Sequence, residues 1–364
     1  MPRVNVVVQT AFIGDLFLSI PLLIRLKKTN PLNQTVLVCK KGLKEIFLKW
    51  KIVDFVLEVE KGQAQSYRSA LAEINQFDVE NVFCLHQSFR SALFTWRIKA
   101  KNKIGFGINI FEIFYKKIFF DRIVFYNKAW PDAIRQLSIL SPTDAELYKF
   151  IHGKDWTYLN FKNQQGGFEL IPAFFQFPQL DLNFQSKTGG VLGRKQIALF
   201  PGSVWATKKW TVEGFGIVAQ RLIQQGFRVC IMGGPDDLKD ALAIQNFAPS
   251  AEVLAGQMSL FESAQSISQF DLVICNDSAP AHMASSLQRP VLCIFGPTVL
   301  DFGFRPWNDE SQVIEMQLSC RPCGPHGHAR CPLGHHNCMK NIEADIVYEK
   351  ALTMLKTHKS SEQT

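Results

Sequence analysis

Residues 4–28 read VNVVVQTAFIGDLFLSIPLLIRLKK. A β-branched run from Val4 to Gln9 is followed by a Gly-Asp turn and then by apolar residues at helical spacing, which predicts a strand, a short loop and a helix. Working outward, TVLVCK (35–40), IVDFVLEV (52–59), VENVFCL (79–85) and KIGFG (103–107) are further strand candidates separated by helical or polar stretches. Strands that alternate with helices imply a parallel sheet covered on both faces, an α/β architecture. The rhythm fails over 163–195, where Asn163, Gln164, Gln165, two Gly pairs, Pro172 and Pro178 show no sustained period. It restarts with QIALFPGS, a helix near 212–225, FRVCIMGGP, a helix near 236–246, a helix from Leu260 to Gln269, DLVICNDSAPAHMASSL and RPVLCIFGPT. The expected organisation is therefore an N-terminal domain over 1–170, a linker over 171–192, and a C-terminal domain over 193–364 with a Cys/His-rich segment and a helix at its end. Two α/β halves joined by a connector create a cleft between domains, where ligands bind most often.

The 364-residue length fits two domains at roughly 150 residues each. With 47% apolar and 20% charged residues and a mean hydropathy of +0.01, the composition excludes a disordered polyelectrolyte and a bundle of membrane spans. No apolar run reaches the ~18 residues of a spanning helix. The apolar start is broken by Asp15 a few residues beyond the single Arg3, which is not the pattern of a signal peptide. Charge is divided unevenly: residues 1–165 carry 24 Lys/Arg against 14 Asp/Glu, while 166–364 carry 16 against 18. Such one-sided excess points to an anionic partner of the first half, be it nucleic acid, phospholipid headgroups or a phosphorylated substrate, unless it is a solvated basic surface. Cys39, Cys84, Cys230, Cys275 and Cys293 lie in strand-like runs as small hydrophobes, and four more crowd between Cys320 and Cys338. That is not a secreted disulfide framework, and the expectation is a reducing cytoplasm.

Five stretches carry chemistry. In TAFIGDLFLSIP, Gly14 allows a tight turn and Asp15 stands at the helix start, either capping free N–H groups or projecting beyond the strand end as a base for a substrate hydroxyl. In ALFPGSVWATKKWTVEGF, a Pro-Gly turn precedes Ser203, Thr207, Lys208 and Lys209, the makings of an anion site, although GxxxxGK[ST] is absent. IMGGPDD closes a strand with Gly233, Gly234 and Pro235; Asp236 or Asp237 then reaches a ribose hydroxyl or caps the helix. VICNDSAPAHMASSL sets Asn276, Asp277 and Ser278 at a helix start with His282 one turn in, which suits a diphosphate, and Thr298 of FGPT joins the same rim. No GxGxxG occurs in a strand-turn-helix setting, because GFGINI at 105–110 lacks its third glycine, which argues against a dinucleotide-dependent dehydrogenase. Finally, CRPCGPHGHARCPLGHHNCM offers Cys320, Cys323, Cys331 and Cys338, with His326, His328, His335 and His336. These are ligand types of a tetrahedral structural zinc site; two disulfides, a redox pair or plain thiols fit the spacing as well, since CPLGHHNC is not a second CxxC.

In this order the stretches resemble glycosyltransferase family nine, the heptosyltransferases of lipopolysaccharide synthesis. The likeness runs over about residues 4–340: IGDLFLSIP, PGSVWATKKW, GGPDD, NDSAPAHMASSLQRPVLCIFGPT and the terminal CRPC…CPLGHHNCM. It implies a GT-B type fold of two facing Rossmann-like domains with an interdomain cleft, a sugar acceptor on the first and ADP-heptose on the second. Carried over by residue, Asp15 falls at the base position and Lys208, two before Trp210, at the diphosphate-binding lysine. Gly14, Ser203, Trp210, Gly234, Asp236, Asp277, Ser278, Ala279, His282 and Thr298 fall at donor-side positions. Ala279 replaces the usual glycine, Pro280 follows it, and GPHGHA lengthens the terminal segment.

The resemblance implies an inverting transfer. The chemistry needs a base for the acceptor hydroxyl and neutralisation of the leaving diphosphate, roles expected of Asp15 and of Lys208 with Ser203 and the helix N-termini, so that no metal is required at the diphosphate. The basic half then faces a lipid A-linked core acceptor, with KKGLKEIFLKWK (40–51) and RIKAKNK (97–103) able to touch anionic headgroups at the inner face of the membrane. Competing readings are a transferase with another nucleotide-sugar or a protein acceptor, and a non-catalytic nucleotide-sugar-binding protein. Nucleic acid is not an expected partner, since no nucleic-acid motif accompanies the pI of about 9.0.

Overall fold

The structure, a computed structural model, describes residues 2–154, 156, 194–308 and 310–357. The chain divides into two compact units, Met1–Leu182 and Asn183–Thr364; the linker expected over 171–192 lies outside the described residues.

The first unit is built on β1 (Arg3–Gln9), β2 (Gln34–Lys40), β3 (Phe55–Val59), β4 (Asp78–Cys84), β5 (Ala100–Gly107) and β6 (Arg122–Phe125), in the order β3-β2-β1-β4-β5-β6. Every neighbouring pair is parallel. Both faces are covered, so β1 is buried from Val4 to Gln9 rather than alternating in and out. Asn5, among the valines of β1, joins an amide ladder across the sheet: Asn81 Nδ2 donates to Asn5 Oδ1 (2.9 Å) and Asn102 Nδ2 donates to Asn81 Oδ1 (3.2 Å), while among the described residues Asn5 Nδ2 has no hydrogen-bond partner. One face packs Val4, Val6, Val8, Val36, Val38 and Val82 against Ile74 and Phe94 of the crossover helices Ala64–Ile74 and Phe89–Arg97.

The second unit repeats the plan with β7 (Gln196–Phe200), β8 (Arg228–Ile231), β9 (Glu252–Val253), β10 (Leu272–Asn276), β11 (Val291–Phe295) and β12 (Gln312–Glu315). The order is β12-β11-β10-β7-β8-β9, again all parallel. The C-terminal helix Ala344–Thr357 packs Val347, Ala351 and Leu355 into the core with Phe215 and Leu222 of the helix Val212–Gln224.

In both units the order doubles back between the first and fourth strands. At such a switch point the loops leaving the two strands diverge to opposite faces and open a crevice beyond their carboxyl ends. The crevices therefore fall beyond β1 and β4 in one unit, and beyond β7 and β10 in the other.

Candidate functional site

Beyond β1 the chain turns at Thr10–Phe12 and enters the helix Ile13–Leu18. Gly14 is the second residue of that helix, so it does not make the tight turn expected of it. Asp15 is the third, and its Oδ2 accepts the Phe12 N–H (3.1 Å). It is half-buried. Burial first, and then the charge of Asp132, push its carboxyl up to about 7, against the pull of the Phe12 and Asp15 backbone N–H groups and of Arg135.

The helix Asp132–Leu137 closes this crevice with a buried polar cluster. Gln136 Nε2 donates to the Asp15 carbonyl (3.1 Å) and to Asp132 Oδ2 (2.6 Å), while Tyr126 donates its hydroxyl proton to Asp132 Oδ1 (2.9 Å). Arg135 lies against Asp132 (3.4 Å) and over the Tyr126 ring. Arg135 thus pairs with Asp132, whose charge still bears on Asp15, and among the described residues no ion pair joins a cation to the Asp15 carboxylate.

Beyond β4, His86 Nδ1 meets Thr10 Oγ1 (2.8 Å) and Ser91 Oγ (3.2 Å). Burial, reinforced by Arg90 and Lys61, holds the imidazole below its ordinary value, so it is neutral near pH 7. Beside this edge, a cavity of about 300 Å³ is lined by Gln63, Tyr67, Arg68, Arg90 and Arg97 among others, three guanidiniums in position for anionic groups.

In the second unit, the loop after β7 and the loop after β10 are tied together. Asn276 Nδ2 donates to the Pro201 carbonyl (2.7 Å), and Asn276 Oδ1 accepts the Trp210 N–H (2.9 Å). Ser278 Oγ reaches the Gly202 carbonyl (3.3 Å). The central contact is an ion pair of Lys208 Nζ with Asp277 Oδ2 (2.5 Å), an oxygen that also accepts from Thr298 Oγ1 (2.6 Å). Asp277 and Thr298 are buried and Lys208 is partly open. Ser203, Gly234 and Asp236 stand on neighbouring loops; Asp236 is exposed, while Asp237 makes the helix-start contact by accepting the Gly234 N–H (3.0 Å). Ala279 opens the helix Ala279–Ser286, on which His282 is buried. Trp210 is not at the rim: its ring packs on Phe215 in the core and its indole N–H donates to the Ile342 carbonyl (3.1 Å).

The terminal Cys/His segment braces these loops. Thr207 Oγ1 donates to the His328 carbonyl (3.0 Å) and accepts the His328 N–H (2.7 Å), and His336 Nε2 donates to the Thr207 carbonyl (2.8 Å). His326 stacks on Trp205. On the other side, the Arg321 guanidinium donates to the carbonyls of Gly296 and Thr298 and pairs with Glu315, while the Cys323 N–H donates to the Pro297 carbonyl (3.0 Å). The partners of Asp277 are each fixed from this segment.

The thiols themselves are free. Burial first, then the charges of Cys323, Cys331 and Cys320 against Arg321, set Cys338 at about 11. Yet among the described residues no group of three or more His, Cys, Asp or Glu side chains is gathered to hold a metal ion. As placed, Cys320, Cys323, Cys331 and Cys338 do not fit the structural zinc site expected of them. Cys39, Cys84, Cys230, Cys275 and Cys293 are buried in strands, as expected.

Both units follow the Rossmann strand order of an α/β protein, with a carboxyl of raised pKa beyond one switch point and a lysine–carboxylate pair beyond the other. Solved structures share the fold: one described as glycosyl transferase family 9 from Veillonella parvula (TM-score 0.75, 20% identity, 98% of each chain) and one described as E. coli ADP-heptose LPS heptosyltransferase II (TM-score 0.72, 19% identity, 97% of this chain and 98% of that one). The sequence model of glycosyltransferase family 9 (heptosyltransferase) matches residues 68–332, and the chain belongs to that family. Among curated relatives, lipooligosaccharide heptosyltransferase 2 of Campylobacter jejuni is 31% identical over 193 residues, which span 50% of this chain and 58% of that protein.

Sequence reading missed Asp132, Arg135, Gln136 and Tyr126, which reach Asp15 from more than 110 positions away along the chain. It also missed His86, although LHQS directly after an apolar strand marks a strand end with a titratable group.

Proposed function

We propose that this protein is an inverting heptosyltransferase that moves heptose from ADP-heptose to the inner core of a lipid A-linked acceptor. The observation that carries the reading is Asp15: a carboxyl beyond a switch-point strand, raised to about 7 chiefly by burial, is matched to taking a hydroxyl proton at neutral pH. Asp15 accepts that proton as the acceptor oxygen bonds to the anomeric carbon, and the bond from that carbon to the diphosphate breaks on the opposite face, which inverts the centre. The electron pair leaves on ADP, whose growing charge Lys208 balances with help from Ser203, Ser278 and the start of the helix Ala279–Ser286.

Asp277 and Thr298 hold Lys208 ready for the diphosphate, so a protein cation does the work a metal would otherwise do. The cavity with Arg68, Arg90 and Arg97 suits the anionic groups of the acceptor. A lipid-linked acceptor places the protein at the inner face of the membrane as a peripheral protein; among the described residues no helix is long and apolar enough to cross one.

The test is to incubate the purified protein with a panel of nucleotide-sugars and lipid A–core acceptors while following nucleotide release. Transfer with ADP-heptose, lost in Asp15→Ala with donor affinity nearly unchanged, supports the reading. Undiminished turnover by Asp15→Ala removes Asp15 from the mechanism, and preference for another sugar or a protein acceptor replaces the substrate assignment.

A further inference from the structure

The helix Ile110–Lys116 is turned inside out. An amphipathic helix on a globular protein buries its apolar stripe and shows its charges, whereas this one buries its lysine: Lys116 Nζ donates to the Phe106 carbonyl (2.9 Å) and pairs with Glu112 (2.7 Å). Its outward side carries Ile110, Phe111 and Phe114, with Ile118 just beyond, exposed by 84, 85, 78 and 69%. Spacings of three and four residues along a helix put these side chains on one face. Around them stand exposed Lys117, Arg122 and Lys128. Residues 97–128 hold eight Lys/Arg and two acids, and both acids are occupied, Glu112 by Lys116 and Asp121 by the Lys103 N–H (2.7 Å).

We infer that this face, Ile110–Ile118 with its cationic rim, docks the first unit onto an anionic lipid bilayer. Seven residues of helix extend about 10 Å, so the element lies in the interface and does not cross it. An apolar centre ringed by cations complements acyl chains beneath anionic headgroups; a second copy would bring like charges face to face across a two-fold axis. The surface is also well placed for its purpose. Phe89 packs edge-on against Phe119 (ring centroids 5.6 Å apart), and the next residue, Arg90, lines the arginine-rich cavity. A lipid-anchored acceptor would thus emerge beside the groups that bind it, an advantage that rests on the function proposed above. The basic stretch 40–51, between β2 and β3 at the opposite edge of the sheet, is not part of this face.

The test uses the full chain and vesicles, with no turnover needed. Wild type should partition onto phosphatidylglycerol-containing vesicles, and Phe111→Ser/Phe114→Ser/Ile118→Ser should lower that partition about 100-fold. Lys117→Gln and Arg122→Gln should each lower it about five-fold on anionic vesicles and leave binding to pure phosphatidylcholine unchanged. An unchanged melting temperature and unchanged turnover on a de-acylated, soluble acceptor show that the triple variant is folded. Equal partition of wild type and triple variant, or no binding by wild type, overturns the proposal; a wild-type dimer that becomes monomeric in the triple variant reassigns the face to self-association. A protein that binds vesicles but transfers no heptose leaves this surface standing and sinks the proposed function, and an active transferase indifferent to vesicles does the reverse.

Discussion

Asp15 and Asp277 both lie beyond strands at the switch point of a six-stranded parallel sheet, Asp15 in the helix that follows β1 and Asp277 directly after β10, and their surroundings make them opposites. Asp277 is buried against a lysine and a threonine hydroxyl, so its charge is used to anchor a cation. Asp15 has a second carboxylate for a neighbour and one backbone N–H for a partner, so its charge is costly and its proton exchangeable near neutrality. A carboxylate beyond a switch-point strand becomes an anchor or a base according to what the adjoining helix and loop bring to it.

The sharpest way to break this contrast is to remove the base. Asp15→Asn is expected to lower kcat about 10²–10⁴-fold, the range for loss of a general base, with donor Kd held within two-fold or so; isothermal titration with ADP beside single-turnover rates measures both. Next in size, Lys208→Met should cost about 10²–10³ in kcat/KM. It also leaves Asp277 buried without its cation, so the melting temperature should fall as well.

The pH response sharpens the comparison further. Activity that needs Asp15 ionised should rise with pH through about 7 and level off above it. Stability runs the other way: the folded carboxyl titrates above its ordinary value of 3.8, so folding is favoured by protonation, and that contribution is complete below about 4 and lost as pH rises through about 7. Asp15→Asn should therefore gain on wild type in melting temperature at pH 8 and not at pH 4; an equal offset at both values contradicts the raised carboxyl.

The smallest effect concerns the brace. Thr207→Val removes a hydroxyl that both donates to and accepts from the His328 backbone; the His328 carbonyl still accepts the Thr207 N–H (3.1 Å), but the His328 N–H loses its acceptor, at a cost of about 1 kcal/mol. KM for the donor should rise several-fold with kcat little changed, and Thr207→Ser should restore it.

Much of this was legible in the sequence because it is local. Strand-turn-helix periodicity located β1, β2, β4, β5, β7, β8, β10 and β11 within a few residues, and the polar groups beyond β1, β7 and β10 announced the loops that carry Asp15, Lys208 and Asp277. What was not legible is pairing at a distance. Asp15 reads equally as a helix-start residue, and it does bond back to Phe12; its burial, and after that the charge of Asp132 from a remote helix, raise the carboxyl, and neither is visible in the local pattern. Trp210 sits two residues from Lys208 yet points into the core, because the chain between Lys208 and the helix Val212–Gln224 runs extended there, which spacing alone does not reveal. The inverted helix escaped notice because IFEIFYKKI has an ordinary amphipathic pattern, and the side that faces the sheet depends on Lys116 finding the Phe106 carbonyl.

The clasp of residues 326–336 on Thr207 bears on any attempt to re-engineer donor choice. The segment 201–210 and the histidine-bearing turn are one mechanical part drawn from two places in the chain. A graft that imports the first from a relative without the second would arrive with its lysine unsupported, whereas a graft that moves both should travel as a working cassette.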